Sequence, residues 1–364
     1  MMDKAKDMET KSVQDLLPNQ ADFQQTVKEQ PVDLYYLKTE GIQVAITNYG
    51  ARIVSLLVKT KTGKWVDVVI GFDSLEAYLK TDEIYHGTIV GRYANRIARG
   101  TFSLNNQTFH LPTNNGVNHL HGGPDGFHNA VWNVENASES VLELRYFSKD
   151  GEEGYPGNLS IRVVYTLEAN ALRIDFNATS DQDTVINVTN HAYFNLNGQG
   201  SGSIEKHQLQ VNASRFTAID ETLIPTGELI PVTDTPFDFT TPKSIGLHIN
   251  EKHTQIQHGQ GYDHNYVLDK KDNELSPAAK AVGEQTGISL EVITTEPGVQ
   301  LYTGNFMKGT NRIKQGLRDE YRSGFCLETQ HFPDSPNHPH FPSTILRAGD
   351  TFTSTTLFRF SAPS

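Results

Sequence analysis

The chain is a succession of short β-type runs separated by turn residues, with almost no helical period anywhere in it. Residues 42–47 and 53–59 are β-branched runs on either side of the turn-type cluster Asn48, Tyr49 and Gly50. Residues 101–104 and 107–111 flank Asn105 and Asn106. Two Asn between two β runs predict a hairpin with a tight primed turn, because Asn tolerates positive φ. Residues 163–167 and 172–176 flank 168–171. In the second of these, Leu172, Ile174 and Phe176 alternate with Arg173, Asp175 and Asn177, the pattern of a strand with one buried face. Segments 185–189, 209–211, 266–268, 288–293, 325–328 and 352–360 continue the theme. Only 74–79 and 276–281 read as helices, both short. The spacing predicts an all-β fold, an antiparallel sandwich or barrel. No linker divides the chain. One domain over 23–364 is expected, preceded by a polar, loosely docked arm over 1–22, and the Pro-rich stretch 333–342 reads as a surface loop.

Composition narrows the function. With 37% hydrophobic residues among 364, the chain has enough apolar side chains for a packed core and is not a disordered segment. Its apolar runs fall far short of the roughly 20 residues a membrane helix needs. A net charge of −12 argues against nucleic acid, whose binding rests on clustered Lys and Arg, and suits a neutral or cationic ligand. The single cysteine, Cys326, excludes an internal disulfide and any multi-cysteine metal site, in keeping with a cytoplasmic location. The first 30 residues contain no signal-peptide core.

The glycine-rich stretch 198–202 opens no apolar-periodic helix and reads as an ordinary loop. Phosphate-loop, HExxH and GxSxG patterns are absent from the sequence. Histidine is the unusual residue, with 14 present. His119, His121, His191, His264 and His331 sit in polar turns or at strand ends, where sites on a rigid scaffold tend to lie. Taken singly, each is more often structural than catalytic. Two chemistries suit the set. One is a cupin-like metal site from His119, His121, a distant His and Glu328. The other is metal-free acid–base work by one carboxylate and one imidazole, with the imidazole partly protonated at neutral pH and more so beside a carboxylate.

Six segments, taken in order, carry a resemblance to a known family. They are GRYANRIARG (91–100), NHLHGG (118–123), TNHAYFNL (189–196), YDHN (262–265), PGVQLYTGN (297–305) and GFCLETQ (324–330). Together they resemble the ordered motifs of the aldose 1-epimerase (galactose mutarotase) family, with a match running from about Phe23 to Phe360. The resemblance implies a large antiparallel β-sandwich, the mutarotase-like supersandwich, with a sugar cleft on one sheet. It implies interconversion of the α and β anomers of free hexoses such as galactose and glucose. By position, Glu328 matches the general base at the C1 hydroxyl and His191 the general acid at the ring oxygen. His121 matches a second histidine near that oxygen, and Asn95, Arg96, Tyr193, Asp263 and Gln300 match substrate-binding residues. His86, His110, His128, His207, His248, His253, His258, His338 and His340 are expected to be structural or exposed.

The resemblance implies no required cofactor and no metal ligand set, and leaves a carboxylate-held Ca²⁺ open. The expected partner is a free aldohexose, with no nucleic acid and no membrane, and the protein is expected to be a monomer or weak dimer. Three alternatives remain at this point. A phosphosugar epimerase would need extra cations, for which Arg92 and Arg99 are the candidates. A non-catalytic sugar-binding module would keep Asn95, Arg96 and Asp263 but could dispense with Glu328 and His191. The cupin-like metal enzyme is the third.

Overall fold

The computed structural model describes residues 13–271 and 273–362. The predicted strand pairs form. Ile42–Thr47 and Arg52–Lys59 lie side by side, antiparallel. Thr101–Leu104 pairs with Gln107–His110, and Asn105 and Asn106 take φ of 52° and 62°, as a primed turn demands. Leu159–Glu168 and Ala171–Ser180 make a long hairpin whose inward residues alternate with outward polar ones.

That hairpin sits in a nine-stranded sheet. Its order is Asn133–Ala137, Val141–Ser148, Leu159–Glu168, Ala171–Ser180, Thr351–Ser361, Ser289–Thr294, Ser276–Val282, Gln208–Val211 and Lys243–Ser244. Two smaller sheets cover it. One has four strands, Leu34–Lys38, Ile42–Thr47, Arg52–Lys59 and Trp65–Asp67. The other has five, Pro225–Pro231, Ala213–Ile219, Asp263–Leu268, Gly298–Tyr302 and Cys326–Gln330. A single apolar cluster joins all three: Ile161, Val163 and Ile174 meet Val44 and Leu56 from one small sheet, and Leu301 from the other. The result is a large antiparallel β-sandwich. Among the described residues no helix is long and apolar enough to cross a membrane.

Some local expectations are corrected. Residues 276–281, read as a short helix, form the strand Ser276–Val282 between two partners. Alanine's helix preference is a few tenths of a kcal/mol per residue, and two hydrogen-bonded ladders outweigh it. Pro277 is accommodated because the register shifts there. The run 185–189 breaks into Thr184–Val185 and Thr189–Asn190, since the Asn187 side chain bonds the carbonyls of Ala94 and His331 between them. The helix over 74–79 forms as Leu75–Lys80, capped by the Ser74 hydroxyl accepting from the Ala77 N–H. The short helix Thr254–Gly259 was not anticipated. The stretch 333–342 is not all surface: Asp334 and Ser335 are buried, and the Asp334 carboxylate accepts from the Ala98 N–H at 2.9 Å. Of the N-terminal arm, residues 1–12 lie outside the described residues. Residues 13–22 dock in part: the Tyr36 hydroxyl donates to the Pro18 carbonyl at 2.7 Å, and Pro18 is buried.

Three buried cations tie loops to this frame. Arg52 donates to the carbonyls of Ile84, His86 and His128. Arg92 donates to those of Pro156, Gly157 and Ser148. Lys314 pairs with Asp67 at 3.0 Å and donates to the carbonyls of Val54 and Val69. Removing one member of a buried pair strands the other charge. Lys314→Met is therefore expected to destabilise the fold by about 3–5 kcal/mol in urea unfolding. A loss below about 1 kcal/mol would mean that Asp67 is held without its cation.

Candidate active site

Strand alternation builds the floor of the site. On Cys326–Gln330 the Leu327 side chain enters the sandwich core, so Cys326 and Glu328 project from the opposite face. The same rule puts Leu301 in the core and Gln300 and Tyr302 on the outer face of the adjacent strand. Gln300 lies directly across from Glu328, and Asp263 starts the next strand. The Gln300 amide donates to the Asp263 carboxylate at 2.7 Å.

A strap then lays the imidazole over this floor. Thr189–Asn190 pairs with Ile89–Val90, and Phe194 and Phe325 exchange backbone hydrogen bonds of 2.7 and 3.0 Å. Between those anchors, the His191 Nδ1 sits 3.6 Å from the Cys326 Sγ and its Nε2 lies 3.6 Å from the Glu328 Oε1. The GRYANR and HLHGG segments close the next wall, where Arg96–Ile97 pairs with His119–Leu120. Gly122 is required at that junction: its φ is +84°, and a Cβ there would lie 1.8 Å from the Gly91 carbonyl oxygen. Asn95 and His121 clasp each other, the Asn95 N–H donating to His121 Nδ1 at 3.1 Å and the His121 N–H to the Asn95 carbonyl at 2.9 Å.

These walls enclose a cleft of about 500 Å³ lined by Asn95, Arg96, His121, His191, Asp263 and Glu328, among others. That volume is in the range of small-ligand sites. Tyr193 also lines it. Gln300 does not; it stands behind Asp263 and orients it. His119 is spent on structure, bonded to the Pro112 carbonyl and the Tyr155 hydroxyl. His264 packs in the core against Phe237, and His331 pairs with Glu296 outside the cleft.

Burial sets the electrostatics. It pushes the Glu328 carboxyl well above the usual range, reinforced by Asp263 and Glu83 and opposed by Arg96. Burial pushes His191 down to about 4 and His121 well below the ordinary imidazole value. Burial thus works against the expected partial protonation of His191 and favours a neutral imidazole beside a protonated carboxyl.

His121, His191 and Glu328 place one ligand-type atom each within 4.8 Å of one another, a donor set that transition metals favour. His121 does not fit such a role. Its Nδ1 accepts the Asn95 N–H, so the neutral ring carries its proton on Nε2 and turns a donor, not a lone pair, to the cleft. The cupin-like grouping fails as well, because both His119 nitrogens are engaged elsewhere.

Comparison with known proteins bears on this geometry. The aldose 1-epimerase family model matches residues 33–359. The chain belongs to the aldose 1-epimerase family. It is 45% identical to galactose mutarotase of Bos taurus over 330 residues, covering 91% of this chain and 94% of the relative. It is 36% identical to aldose 1-epimerase of Escherichia coli K12, covering 92% of this chain and 96% of that one. In three dimensions it resembles a GalM/aldose epimerase homologue from C. elegans with a TM-score of 0.84 at 30% identity, covering 92% of this chain and all 100% of that one. Galactose 1-epimerase from Lactobacillus acidophilus gives 0.81 at 30% identity, covering 93% and 97%.

Sequence reasoning missed part of the lining. Tyr85 packs against His121 and His191 with ring centroids 4.6 and 5.7 Å away. Glu83, Asn115, Tyr302 and Phe306 also face the cleft. Tyr302 lay inside the PGVQLYTGN motif, and Glu83 and Tyr85 lie a few residues before GRYANR, so their signal was proximity to motifs alone. The tautomer and charge assignments are open to ¹⁵N NMR of the imidazoles. His191 is expected to stay neutral down to about pH 4, and His121 to hold its proton on Nε2. A His191 titrating near 6.5 would overturn the desolvation argument.

Proposed function

We propose that the chain is an aldose 1-epimerase that interconverts the α and β anomers of free aldohexoses, galactose and glucose among them. The reading rests chiefly on one observation, the 3.6 Å approach of the His191 Nε2 to the Glu328 Oε1 in the cleft. The relatives named galactose mutarotase and aldose 1-epimerase support it. Ring opening needs one proton taken from O1 and one given to O5. With the pair as carboxylate and imidazolium, Glu328 accepts the O1 proton as His191 protonates O5, and the C1–O5 bond breaks. The aldehyde turns about C1–C2. In closure neutral His191 takes the O5 proton and Glu328 returns one to O1, so the protein ends as it began.

The cycle needs one proton shared by the two groups, and the neutral pair that burial favours is the form that drives closure. His121 takes a different part: as a fixed Nε2–H donor it steadies charge developing on the ring oxygen. Arg96 and Asp263 hold remote hydroxyls while the C1 end turns. No redox change or group transfer is involved, so these residues suffice without a cofactor or metal.

A phosphosugar reading lacks its cations. Arg92 is consumed by backbone carbonyls, and the exposed Arg99 lies outside the cleft lining. A simple binding module leaves the buried Glu328 Oε2, which has no protein partner, without purpose. The proposal extends to a single sandwich domain over 23–364, monomeric or weakly dimeric, acting in the cytoplasm. A lone, buried, reduced Cys326 suits such a compartment.

Polarimetry with fresh α-galactose tests the assignment. Glu328→Gln is expected to lose on the order of 10²–10⁴-fold in kcat while still binding sugar, because the amide keeps the shape but takes no proton. Wild-type turnover in this variant would remove the base. Galactose is expected to turn over well and galactose 6-phosphate poorly; the reverse order would revive the phosphosugar alternative.

The pH profile follows from the pair. Below about 4 both groups carry protons and the reaction fails; at high pH Glu328 loses its proton with His191 neutral, and it fails again. A broad plateau through neutrality is expected, with an acid limb near 4. An acid limb between 6 and 7, where a solvated imidazole titrates at about 6.5, would count against it.

A further inference from the structure

A second cavity lies away from the cleft. It has a volume of about 620 Å³ and shares no lining residue with the first. Three strands of one sheet run between the two. Asp263–Leu268 starts in the cleft at Asp263 and ends in the second cavity with Val267 and Leu268. Gly298–Tyr302 leaves the second cavity at Pro297 and reaches the cleft at Tyr302. Cys326–Gln330 carries Glu328 into the cleft and continues as His331 and Phe332 into the second cavity.

This second lining is basic in an acidic protein. The chain has 43 acidic residues against 31 basic ones, so carboxylates are in excess. Cations elsewhere on the surface find them, as Arg162 does with Glu143, Arg347 with Asp183 and Arg359 with Glu291. Here the lining holds Arg215, Lys270 and Lys271, and among the described residues it holds no carboxylate. Lys270 is already committed. Its Nζ donates to the carbonyls of Thr294 at 2.8 Å and Glu296 at 3.3 Å. Behind the lining, the buried Glu296 sets one negative charge against it. Arg215 and Lys271 are different. Both are exposed, and neither side chain has a hydrogen bond or ion pair with another described residue. Two positive charges thus face the cavity uncompensated. Another part of the lining is apolar: Phe332 and Phe341 stand edge to face with ring centroids 5.3 Å apart, and Pro342 follows them.

We propose that this cavity is a second ligand site, taking a small organic phosphate whose dianion meets Arg215 and Lys271 and whose ring or carbon portion lies against Phe332, Phe341 and Pro342. A phosphate monoester carries close to two negative charges at neutral pH, which matches the two free cations. A guanidinium fork suits phosphate oxygens, and an ammonium binds them as a point charge. The volume exceeds what bare phosphate needs and falls in the range of small-ligand sites. A sugar phosphate and a nucleotide share this chemistry. The site is independent of the anomer-interconversion reading.

Calorimetry at low salt tests it, with glucose 6-phosphate, uridine monophosphate and inorganic phosphate as probes. An organic phosphate is expected to bind with a Kd on the order of 0.1–1 mM. It should bind at least about threefold tighter than inorganic phosphate, because only it reaches the aromatic wall. The tighter of the two organic probes names the source. Arg215→Gln combined with Lys271→Gln is expected to weaken binding at least about tenfold, and Lys271→Gln alone about threefold. Both side chains are exposed and bond nothing, so the variants should fold and their mutarotation stay within about twofold of wild type. Saturating galactose should leave phosphate affinity within about twofold, since the cavities are separate. The proposal is overturned if no probe binds up to about 10 mM, or if the double variant binds within about twofold of wild type. It also falls if inorganic phosphate binds as tightly as the organic probes, or if galactose displaces them, which would put the phosphate in the cleft. A protein that binds the phosphate as expected but does not interconvert anomers would keep this site and end the other reading.

Discussion

A carboxyl and an imidazole are held 3.6 Å apart in a place where neither is comfortable as an ion. Water would ionise the one and partly protonate the other. Removed from water, Glu328 is pushed up and His191 down, so burial favours the pair with its proton on the carboxyl. The proposed ring opening asks this pair to take a proton at one oxygen and give one at another, then do the reverse within one turnover.

The charge state of the pair depends on what surrounds it. Asp263 and Glu83 raise the cost of a charged Glu328, and Arg96 lowers it. Arg96 is itself steadied through its Nε by Asn115 at 3.1 Å, and Asp263 by Gln300 at 2.7 Å. The polar groups around the cleft are thus held by other protein groups before any sugar enters, so little reorganisation accompanies the reaction. His121 illustrates the principle most clearly. A backbone N–H fixes its tautomer, which makes a would-be metal ligand into a permanent donor.

Rigidity comes from the frame. The strand Cys326–Gln330 packs Leu327 into the core and exposes Glu328 on the other side, so the packing that stabilises the sandwich also locates the carboxyl. The loops that supply the remaining groups have no strand ladder of comparable length. Buried cations serve them instead, Arg52 binding the loop of Glu83 to Tyr85 and Lys314 the turn at Asp67 to Val69. Each replaces missing backbone partners with charge-assisted hydrogen bonds, which are the stronger kind.

The sequence by itself determined the strand-rich architecture, the hairpins at Asn105–Asn106 and around 169–170, and the family to which six ordered motifs point. These are local properties: side-chain alternation and turn chemistry act over a few residues and can be read without knowing what packs against them. Glu328, His191, His121, Asn95, Arg96, Tyr193 and Asp263 were legible as cleft residues through their motifs; Gln300 was read as one too, although it bonds Asp263 from behind. Only the tertiary structure decided that 276–281 is a strand, that Glu83 and Tyr85 line the cleft, and that Gln300 does not. It alone showed how burial shifts the pair, Glu328 up and His191 down, and which His121 nitrogen accepts the Asn95 N–H. Each of those depends on groups far apart in the chain and on how much water their meeting excludes, and desolvation is a property of the packed molecule that no local pattern carries.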